Sequence, residues 1–420
     1  MTAEIAIVNR TGIALAADSA LTIGGDRVWK NSNKLFHLAP CADVGVMVFG
    51  NGNHCGLPWE VIIKQYRKSL GQCTFENLTD YSKHFLKFLD GLKTPHPIQS
   101  DLNTYSIMMS IIDDSVEVLE KISGKTAKRK KFISEMNSIV EDVSEAPVVF
   151  EDYSRENFSA QHSKQIRGFL EEKLEILITK PVLSAMISAC YEILKRSIPS
   201  GSETGIVFAG FGESELLPVV QEICVDGTLD GSTRAWTVRI RDSNHEDAGG
   251  VVMPFAQSDI AYLFIEGLLP EYIDFVAQTL KGTLDRKSKE LVKDYVSDSD
   301  ERTVEEARQF RANEAMTKEF LEQFGAFRRE AFVQPMMRVV SSLPKEEMAA
   351  VAEALVETTS LRRKMDSRLE TVGGPVDVAI ISKSDGFVWI KRKHYFDIDL
   401  NRDFVQRRDV RYSGEVSNDS

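Results

Sequence analysis

The sequence predicts an α+β fold, and more specifically a four-layer αββα sandwich in which two antiparallel sheets lie between helical layers. Three observations lead to this prediction. The chain passes through strands, helices, strands, helices and strands in that order. Its first strands follow one another through short turns, which is typical of antiparallel hairpins. Single strands do not alternate with single helices, as they would in a parallel sheet.

Short apolar runs bounded by turn residues predict four strands in the first 52 residues. They lie at 3–9, 13–21, 34–38 and 44–49. Apolar positions spaced three and four residues apart then predict helices at 57–70 and 78–93.

The middle of the chain begins with a segment, 98–160, that we interpret as an insertion. It contains a predicted strand at 105–112, a charged helix-like stretch and a polar region. Helical spacing returns at 159–177 and 181–197. Strand patterns separated by Asp-Gly turns follow at 205–210, 213–225 and 234–240.

The last third predicts a helix at 257–282, a charged helical insertion at 284–342, a helix at 343–363 and a terminal hairpin at 376–381 and 386–390. The predicted organisation is therefore a core at 2–97, 161–283 and 343–412, with insertions at 98–160 and 284–342 and a polar tail at 413–420.

Composition narrows the class of protein. Hydrophobic residues make up 43% and charged residues 27%, the balance of an ordinary globular chain. No run approaches the roughly 20 apolar residues that cross a bilayer, and the N-terminus lacks a signal-peptide pattern. We therefore expect a cytoplasmic protein with no membrane partner. The net charge of −12 argues against nucleic acid as a partner, because phosphate binding depends on clustered Lys and Arg.

Metal and disulfide sites are not expected. The five cysteines are scattered and form no CxxC pair, and the seven histidines show no HExxH spacing. The cysteines are expected to be reduced and mostly buried. We predict neither a metal nor an organic cofactor.

The N-terminus offers a candidate nucleophile. Removal of Met1 would give Thr2 a hydroxyl and a free α-amine on the same residue. An alcohol needs a base to accept its proton, and a threonine can use its own terminal amine. The reference pKa of an α-amine is about 7.7–8.0, so part of it is neutral near pH 7. A Met-Thr start is a weak signal taken alone.

Asp18 strengthens this hypothesis because it lies within the predicted apolar strand at 13–21, where an ionised carboxylate needs a cation or several N–H donors. Lys34, at the start of the third predicted strand, is the proposed cation, and it would lower the proton affinity of the α-amine. The alternative is a structural carboxylate at a strand end and an exposed lysine.

These residues resemble the proteasome β-subunit and HslV family. Thr2, Asp18 and Lys34 are separated by 16 and 16 residues, as are the threonine, aspartate and lysine of that family. The segments GIALAADS, KLFHL and VGVMVFGNG match its early strands, and VGGPVDVAIISKSDGFVWI resembles its terminal hairpin. The two insertions have no counterpart there.

The resemblance implies an N-terminal-nucleophile fold and a threonine peptidase that acts through an acyl-enzyme on Thr2. It further implies an oxyanion donor at the Gly50 N–H, with Gly52 as the alternative. It implies a peptide or protein substrate, and a homo-oligomer that can form a ring. It also implies an ATPase unfoldase, which would be a separate chain because the sequence has no Walker motif.

The sequence departs from that family around the nucleophile. Its supporting serine aligns with Ala256, and a shift of two residues would make it Ser258. Its second aspartate falls near Leu369, where Glu370 or Asp366 could substitute. Two other functions therefore remain open, a dedicated amidase for a small molecule or a single protein bond, and a non-catalytic assembly subunit.

Overall fold

The computed structural model describes residues 2–23, 27–92, 102–151, 153–174, 176, 178–244, 249–365, 372–394, 396–397 and 399–401. The strands are β1 (Ala3–Asn9), β2 (Gly12–Ala17), β3 (Leu21–Ile23), β4 (Arg27–Trp29), β5 (Leu35–Ala39), β6 (Ala42–Gly50), β7 (Asn53–His54), β8 (Leu57–Pro58), β9 (Thr204–Gly210), β10 (Val219–Leu229), β11 (Ser232–Asp242), β12 (Val251–Ala256), β13 (Asp377–Ser382) and β14 (Gly386–Lys391). The α-helices are α1 (Trp59–Leu70), α2 (Leu78–Asp90), α3 (Leu102–Glu120), α4 (Lys125–Asp142), α5 (Arg155–Lys173), α6 (Lys180–Lys195), α7 (Asp259–Glu266), α8 (Pro270–Tyr295), α9 (Ser299–Arg328), α10 (Gln334–Ser342) and α11 (Lys345–Met365).

The chain divides into two compact units. The first combines Met1–Ser32 with Ser243–Ser420, and the second is Asn33–Asp242. Each unit contains one five-stranded antiparallel sheet, in the order β12-β1-β2-β13-β14 in the first and β11-β10-β9-β6-β5 in the second. The predicted α+β fold with two antiparallel sheets and layers of helices is therefore confirmed.

In the first unit, β1 and β2 form the centre of the sheet. Every residue of both strands is buried, as their near-continuous apolar sequences require. One face of the sheet packs against α10 and α11, where Ile5, Ile7, Met348 and Val356 belong to one apolar cluster. The opposite face of β1 carries Thr2 and Glu4, because successive side chains of a strand point to opposite faces.

The second unit contains two apolar clusters. One lies between the sheet and the helices α1 and α2, and includes Tyr66, Phe85 and Phe208. The other is the core of a bundle formed by α3, α4, α5 and α6. Both sets of helices are amphipathic, so each element buries one apolar side.

Several local predictions are wrong. The strand predicted at 13–21 ends at Ala17, so that Asp18 lies just after it, and the strand predicted at 213–225 begins only at Val219. Residues 105–112, predicted as a strand, belong to α3, whose buried residues Met108, Ile112 and Leu119 follow helical spacing. A short apolar run does not distinguish the two structures by itself. The helix predicted at 257–282 is interrupted after Glu266, and Pro270 opens α8, since the first turn of a helix tolerates the missing N–H of proline. The predicted domain boundaries stay a prediction.

Candidate active site

Thr2 lies directly before β1 and is 4% exposed. Its carbonyl accepts a hydrogen bond from Gln257 N at 3.1 Å, which ties it to the end of β12. Its buried Oγ1 has no hydrogen-bond partner among the described residues. Leaving a buried hydroxyl without a hydrogen bond costs about 1–3 kcal/mol of folding free energy. Because Thr2 Oγ1 does not stabilise the fold in this position, it is a candidate functional atom.

Asp18 binds the backbone next to Thr2. Its Oδ1 accepts a hydrogen bond from Ala3 N at 3.1 Å, and Asp18 N donates to Ala3 O at the same distance. Its Oδ2 accepts from Gly373 N at 2.9 Å and from Ala20 N at 3.2 Å. Three N–H donors compensate a 1% exposed carboxylate for its loss of water. The structure therefore brings two of the predicted site residues, Thr2 and Asp18, together.

The loop before β13 completes this arrangement. Ser19 N donates to Gly373 O at 3.1 Å, beside the bond from Gly373 N to Asp18. Gly374 has φ +81°, and a Cβ atom there would lie 2.6 Å from Lys30 O. Only glycine fits such a position without displacing backbone. The sequence showed the Gly-Gly pair but gave no indication that it binds Asp18.

Two further buried carboxylates escaped the sequence analysis. Glu4 is 0% exposed and stands opposite Ala17, which in turn stands opposite Asp377, so the three form one row across β1, β2 and β13. Asp377 accepts a hydrogen bond from Lys393 N at 2.8 Å and forms an ion pair with Lys393 Nζ. An acidic residue within an apolar strand was the signal that identified Asp18, and it would have identified Glu4 as well.

Lys34 and Gly50 belong to the second unit. Lys34 is 4% exposed, and its carbonyl accepts a hydrogen bond from Val48 N at 3.0 Å. The alternative interpretation, an exposed lysine, is therefore wrong. Gly50 ends β6 with φ +84°, and a Cβ atom there would lie 2.6 Å from Glu203 O. The positive φ and the close Glu203 carbonyl explain why position 50 is a glycine without any catalytic role. The catalytic roles of Lys34 and Gly50 stay predictions.

Ser258 lies one residue after Gln257, whose N–H binds Thr2, and it is the N-cap of α7 without a capping hydrogen bond from its side chain. Ala256, two residues earlier, pairs with Ala3 at φ +59°. The role of Ser258 also stays a prediction. Asp366, Leu369, Glu370, Met1 and the tail at 413–420 lie outside the described residues.

Other nucleophiles and ligands are less well placed. The thiols of Cys190 and Cys224 have a pKa well above its ordinary value because they are buried, so they are protonated near neutral pH. Within the described ranges, no group of three or more His, Cys, Asp or Glu residues is arranged to hold a metal ion. Nor does any helix in these ranges combine the length and apolar character that a membrane span needs.

Comparisons with known proteins give similarities at low identity. No family model matches the sequence, and no curated protein does. Among solved structures, an Anbu (Gly-1) mutant from Hyphomicrobium sp. strain MC1 is 11% identical, with a TM-score of 0.28 over 99% of both chains. Anbu (ancestral beta-subunit) from Yersinia bercovieri is 9% identical, with a TM-score of 0.29 over 98% of this chain and 97% of that chain. Anbu from the same Hyphomicrobium strain is 10% identical, with a TM-score of 0.27 over 99% and 98%.

These findings correct the family assignment made from the sequence. The assignment to the proteasome β-subunit and HslV family is wrong, because no family model matches and the similar structures are Anbu proteins. Spacing of three residues and short apolar motifs were insufficient, since many antiparallel sheets contain similar strands. The case for a function rests on the site itself.

Proposed function

We propose that this chain is an amide-bond hydrolase of the N-terminal-nucleophile type, with Thr2 as the nucleophile after removal of Met1. The observation that carries the proposal is the Thr2 hydroxyl, which is buried without a hydrogen-bond partner among the described residues. It lies one residue from the Ala3 amide that Asp18 holds. Unsatisfied buried polar atoms beside a charged group are typical of functional sites.

In the proposed reaction, Thr2 Oγ1 attacks the carbonyl carbon of an amide and its proton passes to the α-amine. The tetrahedral intermediate collapses to an ester on Thr2 as the amine product leaves with that proton. Water then hydrolyses the ester and regenerates the hydroxyl. The hydrogen bonds of Asp18 to Ala3 N, Ala20 N and Gly373 N would fix the backbone beside the nucleophile.

The roles that we propose for Lys34 and Gly50 are based on the sequence alone. A lysine ammonium near the α-amine would lower the amine pKa by disfavouring a second positive charge. The Gly50 N–H would stabilise the oxyanion, a contribution of about 3–4 kcal/mol in comparable hydrolases. Ser258, which follows the residue bound to Thr2, is proposed as a supporting hydroxyl.

The first experiment uses the intact chain and two threonine variants. Mass spectrometry measures whether Met1 is absent. A β-lactone or epoxyketone probe is then expected to label the wild type and Thr11→Ala, but not Thr2→Ala. Thr11 is a suitable control because it is exposed in the turn after β1, where it donates a hydrogen bond to Asn9. A chain that retains Met1, or labelling that persists in Thr2→Ala, would contradict the proposal.

The substrate is the second question. We propose a peptide or protein substrate, and a panel of fluorogenic peptides distinguishes a peptidase from an amidase with one dedicated substrate. Thr2→Ala is expected to reduce turnover by at least about 10³-fold, the loss usual for a nucleophile. A processed, folded chain that reacts with neither probe nor peptide would favour a non-catalytic assembly subunit.

A further inference from the structure

Two of the five cysteines differ from the others because solvent reaches them. Cys41 lies in the turn between β5 and β6 and is partly buried, whereas Cys73 follows α1 and is exposed. Cys55, Cys190 and Cys224 are between 0% and 9% exposed. Since a thiol must be reached by a reagent before it is modified, Cys41 and Cys73 are the candidates for modification.

These two cysteines are close in space although 32 residues separate them in the chain. Cys41 Sγ lies 3.3 Å from Gly71 O and 3.8 Å from Cys73 O. Because the Cα atom of a residue lies about 2.4 Å from its own carbonyl oxygen, Cys41 Sγ is within about 6 Å of Cys73 Cα. A disulfide holds its two Cα atoms about 4.4–6.8 Å apart. Rotation about the Cα–Cβ bond of the exposed Cys73 can bring its sulfur towards Cys41.

Contacts other than the thiols hold the two segments together. Arg67, in the last turn of α1, donates from Nε to Leu38 O at 2.9 Å and from Nη2 to His37 O. Cys73 N donates to Leu70 O at 3.0 Å, which fixes this residue to the end of the helix. The β5–β6 hairpin and α1 also share one apolar cluster. The backbone around both cysteines is therefore in place before any bond forms, and backbone distortion is a usual reason for a disulfide to fail.

The two thiols also differ in how readily they react. Burial raises the pKa of the Cys41 thiol, a backbone hydrogen bond partly offsets this effect, and the charges of Cys73 and Glu213 raise the pKa further. A thiol with a raised pKa is a poor first nucleophile near neutral pH, because the thiolate is the reactive form. The exposed Cys73 is therefore the thiol that meets a reagent first, and Cys41 is the one placed to attack it afterwards.

We propose that Cys41 and Cys73 form a redox-modification site, at which a low-molecular-weight disulfide oxidises the pair to an intramolecular disulfide. The Cys73 thiolate attacks one sulfur of the small disulfide, forms a mixed disulfide and releases a thiolate. Cys41 loses its proton to solvent, attacks the Cys73 sulfur, and releases the second thiolate. The two cysteines lose two electrons and two protons, and the small disulfide is reduced to two thiols.

The new bond links an edge of the second unit to its helical layer. β5 is an outer strand of the sheet, and Cys41 lies in the turn that follows it. Cys73 lies three residues after the end of α1. The bond therefore ties the turn at this outer strand to the helix that covers it, and excess thiol reverses the reaction.

The test uses the full chain, reduced with dithiothreitol and then incubated with glutathione disulfide. Mass spectrometry of the intact chain is expected to show the loss of two hydrogen atoms. Trypsin digestion without reductant is then expected to give peptide 35–64, which contains Cys41, joined to peptide 69–83, which contains Cys73. Peptide 35–64 also contains Cys55, so Cys55→Ala is the matched control, in which the joined peptides are expected to persist.

Two serine variants separate the steps of the reaction. Cys41→Ser is expected to stop at the mixed disulfide and to retain glutathione on Cys73. Cys73→Ser is expected to react at least about tenfold more slowly than the wild type, because only the partly buried Cys41 thiol, with its raised pKa, then lies at this site. Circular dichroism checks that each variant is folded.

A wild type that keeps its mass, or that retains glutathione on Cys73 without forming the second bond, would overturn the inference, since the two thiols would then not meet. Loss of the joined peptides in Cys55→Ala would overturn it as well, because the bond would belong to Cys55. A disulfide between two chains on a non-reducing gel, absent in Cys73→Ser, would assign Cys73 to a different partner and would also contradict the proposal.

Discussion

The first unit contains two regions that differ in which side chains they bury: the sheet around Thr2 buries mainly apolar residues, whereas the α8–α9 hairpin buries mainly polar ones. Around Thr2, β1 and β2 are buried throughout, and the polar residue Asp18 is held there by three backbone N–H groups. In the α8–α9 hairpin, the buried residues are largely polar, and Asn313 Nδ2 donates to Asp285 at 2.9 Å and Ser288 at 3.0 Å. Several of its aromatic residues are exposed, among them Phe275 and Phe327.

The sheet around Thr2 and the α8–α9 hairpin are therefore stabilised in different ways. A buried carboxylate in an apolar sheet costs free energy unless donors surround it, and the three N–H groups that bind Asp18 meet this requirement and fix the backbone beside Thr2. The α8–α9 hairpin fully buries few apolar side chains, so it gains less from the hydrophobic effect than the sheet does.

The largest effect on stability is expected for Asp18→Ala. It would leave the buried N–H groups of Ala3, Ala20 and Gly373 without their acceptor, at a cost of about 3–5 kcal/mol. Asp18→Asn keeps one acceptor oxygen and should cost less. Urea unfolding measures both variants. If Asp18→Ala were as stable as the wild type, the sheet would not depend on this carboxylate, and the contrast with the hairpin would fail.

His54, in the second unit, differs from Asp18 in that no ring of backbone N–H donors among the described residues offsets its burial, and burial favours its neutral form. Burial lowers its pKa from about 6.5 to about 4, against a smaller opposing influence of Asp90. Between these values the unfolded chain binds more protons than the folded one. Stability is therefore fully present above pH 6.5 and falls by about 3 kcal/mol as the pH decreases to 4.

The acid sensitivity of His54 can be measured by hydrogen exchange in β7 and α1 across this pH range. The His54→Phe variant is the control, because it retains an aromatic ring next to Trp59, on which His54 stacks at 5.2 Å. The local loss of protection is expected to disappear in this variant. An unchanged pH dependence would assign the acid response to other groups.

Gly374→Ala is expected to destabilise the chain by about 2–3 kcal/mol. The new Cβ atom would lie 2.6 Å from Lys30 O and the backbone would keep φ +81°, which a residue with a side chain rarely adopts. Thermal unfolding measures the loss. Normal stability would mean that this loop is free to move away from Asp18.

The same substitution in the hairpin should have the opposite sign. Gly282 lies within α8 and has open space around its Cβ position. Gly282→Ala is therefore expected to stabilise the chain by about 0.5–1 kcal/mol, through helix propensity alone. Calorimetry of both alanine variants provides a direct comparison. A loss of stability in Gly282→Ala would show that the hairpin is packed more tightly there than these contacts indicate.

The sequence by itself determined the antiparallel strands and most helices, and it singled out Asp18 as a carboxylate that needs a cation or several N–H donors. These follow from apolar periodicity and from the cost of a carboxylate within a predicted apolar strand, both of which are local. It misassigned 105–112, because a short apolar run fits a strand or a helix until its neighbours are known.

Only the tertiary structure decided which groups meet across long stretches of chain. Gly373 and Asp18 are separated by 355 residues, and nothing local to either position predicts their hydrogen bond. The rings of Phe327 and Phe332 likewise meet at 6.3 Å next to a π-helical turn, Arg329–Val333, which nothing in the composition indicates. Local sequence fixes the period of an element, whereas contacts depend on how the elements pack together.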